Sequence, residues 1–346
     1  MSALERITTV RRLLALVVGL ALSLSACASP AASPSAASPT TAAPAKVTMG
    51  LTYIPNIQFA PYYVAAGQGL FADAGADVTL RHHGANEGLF TALAAGQEDV
   101  VVAGGDELLQ ARAEGMDLVA IAQYYRTYPV VVIVPQASAI TKLSDLKGRT
   151  IGVPGRYGET WFGLQVALKS AGLAESDGKI NEIGYTQQAA LTTGKVDAIV
   201  GFSNNDQVQF RQAGFATRTI PLAPEGQNPL VSISLITTRS WLDAHPDAAR
   251  AVARATVAGV QRTVADPDAA LTTSRTYIPQ LANDTAAQAR AKATLEATLP
   301  LWKGTSTIDG RLDEARWAAM ASFMAEQGLT SKPVDAAQAI STQPLA

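Results

Sequence analysis

The sequence predicts an α/β protein of two lobes joined by a two-strand hinge. Three observations carry that expectation. A β-prone run, a polar turn and an apolar helical stretch follow one another at 47–67 and again at 150–170. A helix stop, an acid, a buried strand and a glycine recur over Gly96–Gly104 and Gly194–Phe202. Two further segments, 123–129 and 228–237, read as crossings between the two sets. Strands alternating with helical stretches are the pattern of sheets flanked by helices.

The chain of 346 residues has room for two domains, and at 48% hydrophobic and 16% charged it can build large cores. A net charge of -2 makes no electrostatic case for nucleic acid. Cys27 is the one cysteine, which excludes a disulfide framework and any zinc site of several thiolates. No cofactor or metal is expected.

Arg6, Arg11 and Arg12 precede an apolar run, Leu13 to Leu24, of roughly 12 residues. That is the length of a signal-peptide core and short for a bilayer span. It ends Leu24-Ser25-Ala26-Cys27, which resembles the lipobox of bacterial lipoproteins and implies a lipid on Cys27. Residues 28–45 are all Ala, Ser, Pro or Thr and read as an extended tether. The expectation is export and anchoring to the outer face of a bacterial cell membrane.

The folded body starts near Lys46. Val47 to Thr52 is a strand, and a turn with Pro55 and Asn56 follows. Pro61 suits the first turn of the next helix because it has no N–H to lose. A loop at the carboxyl end of a strand is where open α/β sheets bind ligands. This one carries Tyr53, Asn56, Gln58, Phe59, Tyr62 and Tyr63 in a chain only 6% aromatic. Rings for stacking and amides for hydrogen bonds suit a planar polar molecule, although such rings also serve as core filler.

A helix stop at Gly67–Gly75 leads into a strand ending at His82 and His83, which point to opposite faces and make poor co-ligands. Asn86–Gly96 reads as a helix and Asp99–Gly104 as a buried strand. The turn after it makes Gly105 and Asp106 candidates, since glycine lets backbone approach a ligand and a helix start offers free N–H groups. Leu118–Ala122 is a strand. The polar, aromatic segment 123–129 then crosses to the second lobe and adds Arg126 to the candidates.

Val130–Val134 and Thr150–Val153 are strands. Gly155, Tyr157, Gly158 and Glu159 follow the second of these, ahead of a helix to about Ser170. The stretch lacks the Gly-Lys-Ser/Thr ending of a phosphate loop, so nucleotide hydrolysis is rejected. Glu182–Tyr185 reads as a short strand. The turn Ser203–Asp206 serves either as a helix cap or, through Asn204, as a ligand contact. Asn228–Thr237 alternates like a returning strand, and helices run from Asp247 to about Gly328 with Trp302 and Trp317 as packing residues. Nothing in Asp335–Ala346 signals firm packing.

Two α/β lobes and two crossings resemble the type II periplasmic binding fold of bacterial ABC importers. More closely, residues 47–260 look like the NMT/THI-like and SsuA-like group of binding proteins. The marks are Tyr53-Ile54-Pro55-Asn56, Gly69-Leu70-Phe71, Leu143-Ser144-Asp145-Leu146, Gly152-Val153-Pro154-Gly155 and His245-Pro246, in order. The resemblance implies lobe 1 at 46–126 plus 232–330, lobe 2 at 127–231 and a loose tail at 331–346. It implies a monomer that captures a heteroaromatic vitamin or precursor, a thiamine pyrimidine or riboflavin, and delivers it to a membrane permease. Aliphatic sulfonates or taurine are the alternative ligands. A pyrimidine-processing enzyme is the rival from another class. Some eukaryotic relatives of that kind use a Cys-rich motif and iron, and this chain has no cysteine besides Cys27. The sequence also shows no nucleophile elbow and only three histidines, His82, His83 and His245.

Overall fold

The computed structural model describes residues 43–84, 87–304 and 307–346. The expected export signal, Cys27 and nearly all of the tether lie outside the described residues. Ten strands form two sheets. The first four are β1 (Ala45–Leu51), β2 (Ala76–His82), β3 (Val100–Gly104) and β4 (Leu118–Gln123). Then come β5 (Val130–Pro135), β6 (Thr150–Val153), β7 (Lys179–Glu182), β8 (Ala198–Phe202) and β9 (Thr217–Ile220). The last is β10 (Ile233–Thr238).

The first sheet has the order β2-β1-β3-β10-β4 and the second β7-β6-β8-β5-β9. The two orders are the same pattern. In each, the strand in fourth place, β10 or β5, arrives by a crossing and runs antiparallel to both neighbours. A chain leaving one sheet at the carboxyl ends of its parallel strands enters the other from that same end, so it must run against them. The segments 124–129 and 221–232 make the two crossings. Both therefore pass where ligands bind in sheets of this kind. Every residue of β3 and β4 is buried, which is why they read as unbroken apolar runs.

One core packs the first sheet against the helices Ala60–Gly67 and Pro246–Ala265 and includes Trp302. A second runs from Val101 and Ala120 in the first sheet, past Trp317, to Val132 and Val200 in the second. Gly259 sits where the two helices cross, and a Cβ there would stand 2.2 Å from the Pro61 carbonyl oxygen. Gly259→Val is expected to lower stability by about 2 kcal/mol through overpacking. An unchanged urea midpoint would refute that close approach.

Three expectations are corrected. Of the helix read over Asn86–Gly96, only Thr91–Ala94 is helical among the described residues. The strand read over Glu182–Tyr185 lies earlier, because pairing with the four residues of β6 places it at Lys179–Glu182. The chain then turns at Gly184, with φ of 58°, and leaves Tyr185 exposed. The tail packs firmly. Ile340 bridges Ala120 in parallel, the Ala120 N–H donates to the Ala339 carbonyl, and the Ser341 N–H donates to the Ala120 carbonyl, both at 2.9 Å. These bonds cover the edge of β4, which would otherwise present open backbone groups. Backbone pairing of this kind leaves no mark in an Ala-rich sequence.

Candidate functional site

A cleft of about 1180 Å³ lies between the two sheets and is lined from both. On the first-sheet side the loop after β1 supplies Tyr53, Gln58 and Phe59. Thr52 secures its start by donating to the Val102 carbonyl at 2.6 Å. His82, at the end of β2, secures Tyr53. Its Nδ1 donates to the Tyr53 carbonyl at 2.9 Å, which leaves Nε2 to accept from the Tyr63 hydroxyl at 3.0 Å. Burial lowers the His82 pKa and so favours this neutral tautomer. Tyr124 and Tyr125, on the first crossing, also line the cleft and rest on the buried Trp302, at ring distances of 6.3 and 6.0 Å.

On the second-sheet side Tyr157, Gly158 and Glu159 come from the turn after β6. Tyr185 and Gln187 come from the turn after β7, and Asn205, Asp206 and Gln209 from the start of the helix after β8. Tyr157 and Tyr185 are 52% and 53% exposed, and the Tyr185 ring meets Tyr53 edge-on at 6.0 Å across the cleft. An exposed ring without a core to fill is free to take a ligand's plane.

Three carboxyl groups, of Asp106, Glu107 and Glu159, cluster where both crossings pass, Asp106 buried beneath the cleft and the other two lining it. Tyr128 Oη, from the first crossing, lies 2.7 Å from Asp106 Oδ2 and 2.9 Å from the Glu159 carbonyl oxygen. Both acceptors face the one hydroxyl. Burial, then Glu107, pushes the Asp106 pKa well up. Ser232, from the second crossing, donates to Glu159 Oε1 at 2.5 Å. Glu159 is also pushed well up, by burial first and then by Asp106 and Glu107. Glu107 accepts from the Gly104 N–H at 2.7 Å, and burial brings its pKa to about 7. Asp206 accepts from the Phe202 N–H at 2.7 Å, and burial brings its pKa to about 6.

Tyr53, Gln58, Phe59, Tyr157, Gly158 and Glu159 are thus the sequence candidates that border the cleft. The others do not. Asn56 caps a short turn by accepting from the Gln58 N–H at 3.0 Å. Tyr62 and Tyr63 are fully buried, and Tyr62 donates to the Tyr124 hydroxyl at 2.6 Å from behind. They sit in a helix buried along its whole length from Ala60 to Ala65, so its rings are core. Gly105 lies under Trp317, and Asp106 is buried. Arg126 pairs with Asp309 and donates to the Arg311 carbonyl. Asn204 turns away to donate to Thr298 at 2.9 Å. Gly155 is lined up behind Tyr157, whose ring occupies the space where a Cβ would be. Sequence reasoning missed Tyr185, Gln187 and Glu107. The signal available for Tyr185 was the glycine before it, which marks a turn better than a strand.

His83, Glu87 and Glu98 place potential metal-ligand atoms within 4.8 Å of one another. Arg81 pairs with both carboxylates at 2.7 Å and already supplies the positive charge there.

Residues 56–270 match the family described as NMT1/THI5 like. The riboflavin-binding protein RibY of Chloroflexus aurantiacus is 34% identical, over 96% of this chain and 97% of that protein. A 4-amino-5-hydroxymethyl-2-methylpyrimidine phosphate synthase of Uromyces fabae is 26% identical over 64% of this chain and 68% of its own length. Among solved structures, the alkanesulfonate-binding protein SsuA from Xanthomonas axonopodis pv. citri, bound to MOPS, has a TM-score of 0.68 and 21% identity over 87% of this chain and 99% of that one. That likeness is one of fold, the periplasmic-binding arrangement of two α/β lobes. With a family match across residues 56–270 and a full-length relative at 34% identity, the chain belongs to the NMT1/THI5-like family.

Proposed function

We propose that this protein is the extracytoplasmic binding component of an ABC importer. It takes riboflavin between its two sheets and presents it to a membrane permease. The observation that carries this reading is the set of rings on facing walls: Tyr53 on one side, Tyr157 and Tyr185 on the other. A flat heteroaromatic ring system entering between them exchanges the Tyr53–Tyr185 edge contact for stacking from both sides. Because the ligand touches both lobes, it favours the closed arrangement by its differential affinity. The permease then reads that closed form. Export and anchoring through Cys27 belong to the same proposal.

A relative of near-equal length named as a riboflavin-binding protein supports the choice of flavin. The sulfonate alternative meets an electrostatic obstacle. No Lys or Arg is among the described residues that line the cleft, so the described lining offers a sulfonate no counter-charge. The Cys-rich motif that the resemblance implies for synthases of the kind a more distant relative is named for is absent, since Cys27 is the chain's one cysteine.

Flavin fluorescence tests the reading. Titrating the purified protein into riboflavin should quench the emission to a stoichiometric end point, as expected for stacking on tyrosine. Emission that stays constant throughout the titration would overturn it.

A further inference from the structure

We propose that the cleft reads one edge of its ligand's ring, where an N–H stands beside a hydrogen-bond acceptor, through the Gln58 amide and the Tyr125 hydroxyl. The inference rests on the vitamin-site reading above and names the chemical feature by which that site selects. Gln58 and Tyr125 both line the cleft, and both come from elements that the fold holds in place.

Tyr125 is fixed through its backbone. Its carbonyl accepts from Gln123 Nε2 at 3.0 Å, and the next N–H, of Arg126, donates to the Leu301 carbonyl at 2.8 Å. That second bond ties the first crossing to the last turn of the helix Thr285–Lys303, where Trp302 follows Leu301. The Tyr125 ring accordingly meets the Trp302 ring edge-on, at 6.0 Å and 84°. Gln58 is fixed in a similar way. Asn56 accepts from its N–H at 3.0 Å and caps the turn Ile57–Phe59, which packs on that same helix.

The direction of the Tyr125 hydroxyl follows from its neighbours. Burial raises the Tyr125 pKa, and hydrogen bonding by the side chains of Trp302, Asn204 and Gln58 works against it, which puts all three beside the phenol oxygen. Trp302 Nε1 is buried and has no other partner, and an indole N–H can only donate. The Asn204 amide is anchored on Thr298 at 2.9 Å, and its Oδ1 accepts from no group, so the Tyr125 proton is not spent there. The phenol oxygen therefore takes donors from behind, and its own proton is left for an acceptor in the cleft. Gln58, with its N–H towards Tyr125, keeps its carbonyl oxygen for a ligand donor. A donor beside an acceptor complements a ring carbonyl beside an N–H, the pair found in the imide of a flavin. Such an edge is uncharged, which suits a lining with no Lys or Arg among its described residues.

Calorimetric titration of the full chain with riboflavin, and with riboflavin methylated at its imide nitrogen, tests this. The methylated flavin should bind at least about tenfold more weakly, because a site built to hydrogen-bond a group rejects the analogue that lacks it. Tyr125→Phe and Gln58→Leu should each narrow that ratio. Trp302→Phe keeps a ring beside Tyr125 and removes the N–H, and it should narrow the ratio too, which a purely structural role would not do. Equal binding of the two flavins by the unaltered protein overturns the proposal, and that comparison decides even where a variant fails to fold. An unchanged ratio in Tyr125→Phe or Gln58→Leu also overturns it, and an unchanged ratio in Trp302→Phe overturns the account of how the hydroxyl is aimed. If riboflavin itself does not bind, the flavin reading fails. The hydroxymethyl aminopyrimidine, whose amino N–H stands beside a ring nitrogen, then takes its place, with its dimethylamino analogue as the blocked partner. Equal binding of that pair overturns the proposal, and no binding by any of the four overturns both.

Discussion

Replacing Tyr53 and Tyr185 together with alanine is expected to weaken riboflavin binding by about 30- to 150-fold. An aromatic pair contributes on the order of 0.5–1.5 kcal/mol beyond the area it buries, and two such contacts flank the ligand. With the apolar area included, the loss is about 2–3 kcal/mol, and each 1.4 kcal/mol is about tenfold in affinity. The fold should tolerate both changes. Tyr185 is 53% exposed and Tyr53 is only half-buried, so neither leaves a core cavity. The rings lie 6.0 Å apart on opposite walls, so the two single replacements should not add independently. Calorimetry on both singles and the double, beside urea midpoints, measures this. Unaltered affinity in the double variant would remove the ring pair from the site.

The second large effect is on stability and depends on pH. The pKa of Glu107 rises in the folded protein from 4.5 to about 7, chiefly through burial. The sign follows from proton counting. Between those two values the folded state holds more protons than the unfolded state, so stability falls as pH rises through the window. The whole cost is in place above about pH 7. Glu107→Gln keeps an oxygen to accept from the Gly104 N–H at 2.7 Å and removes the ionisation. The variant is therefore expected to be more stable than the parent at pH 8, by about 2–3 kcal/mol, with little difference at pH 4.5. The neighbouring carboxyls Asp106 and Glu159 are shifted in the same direction, so the parent itself should lose stability as pH rises. Urea midpoints at the two pH values decide the matter. An equal loss in the variant at both would mean that Glu107 acts through packing and not through charge.

Particular residues show how far the chain could be read in advance. The loop after β1 and the turn after β6 were legible because strand, turn and helix follow one another locally. Tyr53, Phe59, Tyr157 and Glu159 were drawn from those turns, and they border the cleft. Tyr62 and Tyr63 belong to the same aromatic run yet face the core, because the helix Ala60–Gly67 is covered by Pro246–Ala265, a helix nearly two hundred residues later. Asn204 and Arg126 were drawn away from the cleft by Thr298 and Asp309, partners 94 and 183 residues further along the chain. Tyr185 was hidden by the reverse error, since a glycine-tyrosine pair after an apolar residue passes for a strand end.

Residue periodicity and the placement of glycine and proline were enough for the two α/β halves and most strand positions, because those depend on each residue's near neighbours. Which rings reach the ligand, which acids cluster at the cleft and what covers the open edge of β4 were settled only by folding. Those outcomes turn on contacts between segments far apart in the chain, and no local pattern encodes which face of an element its distant partner will cover.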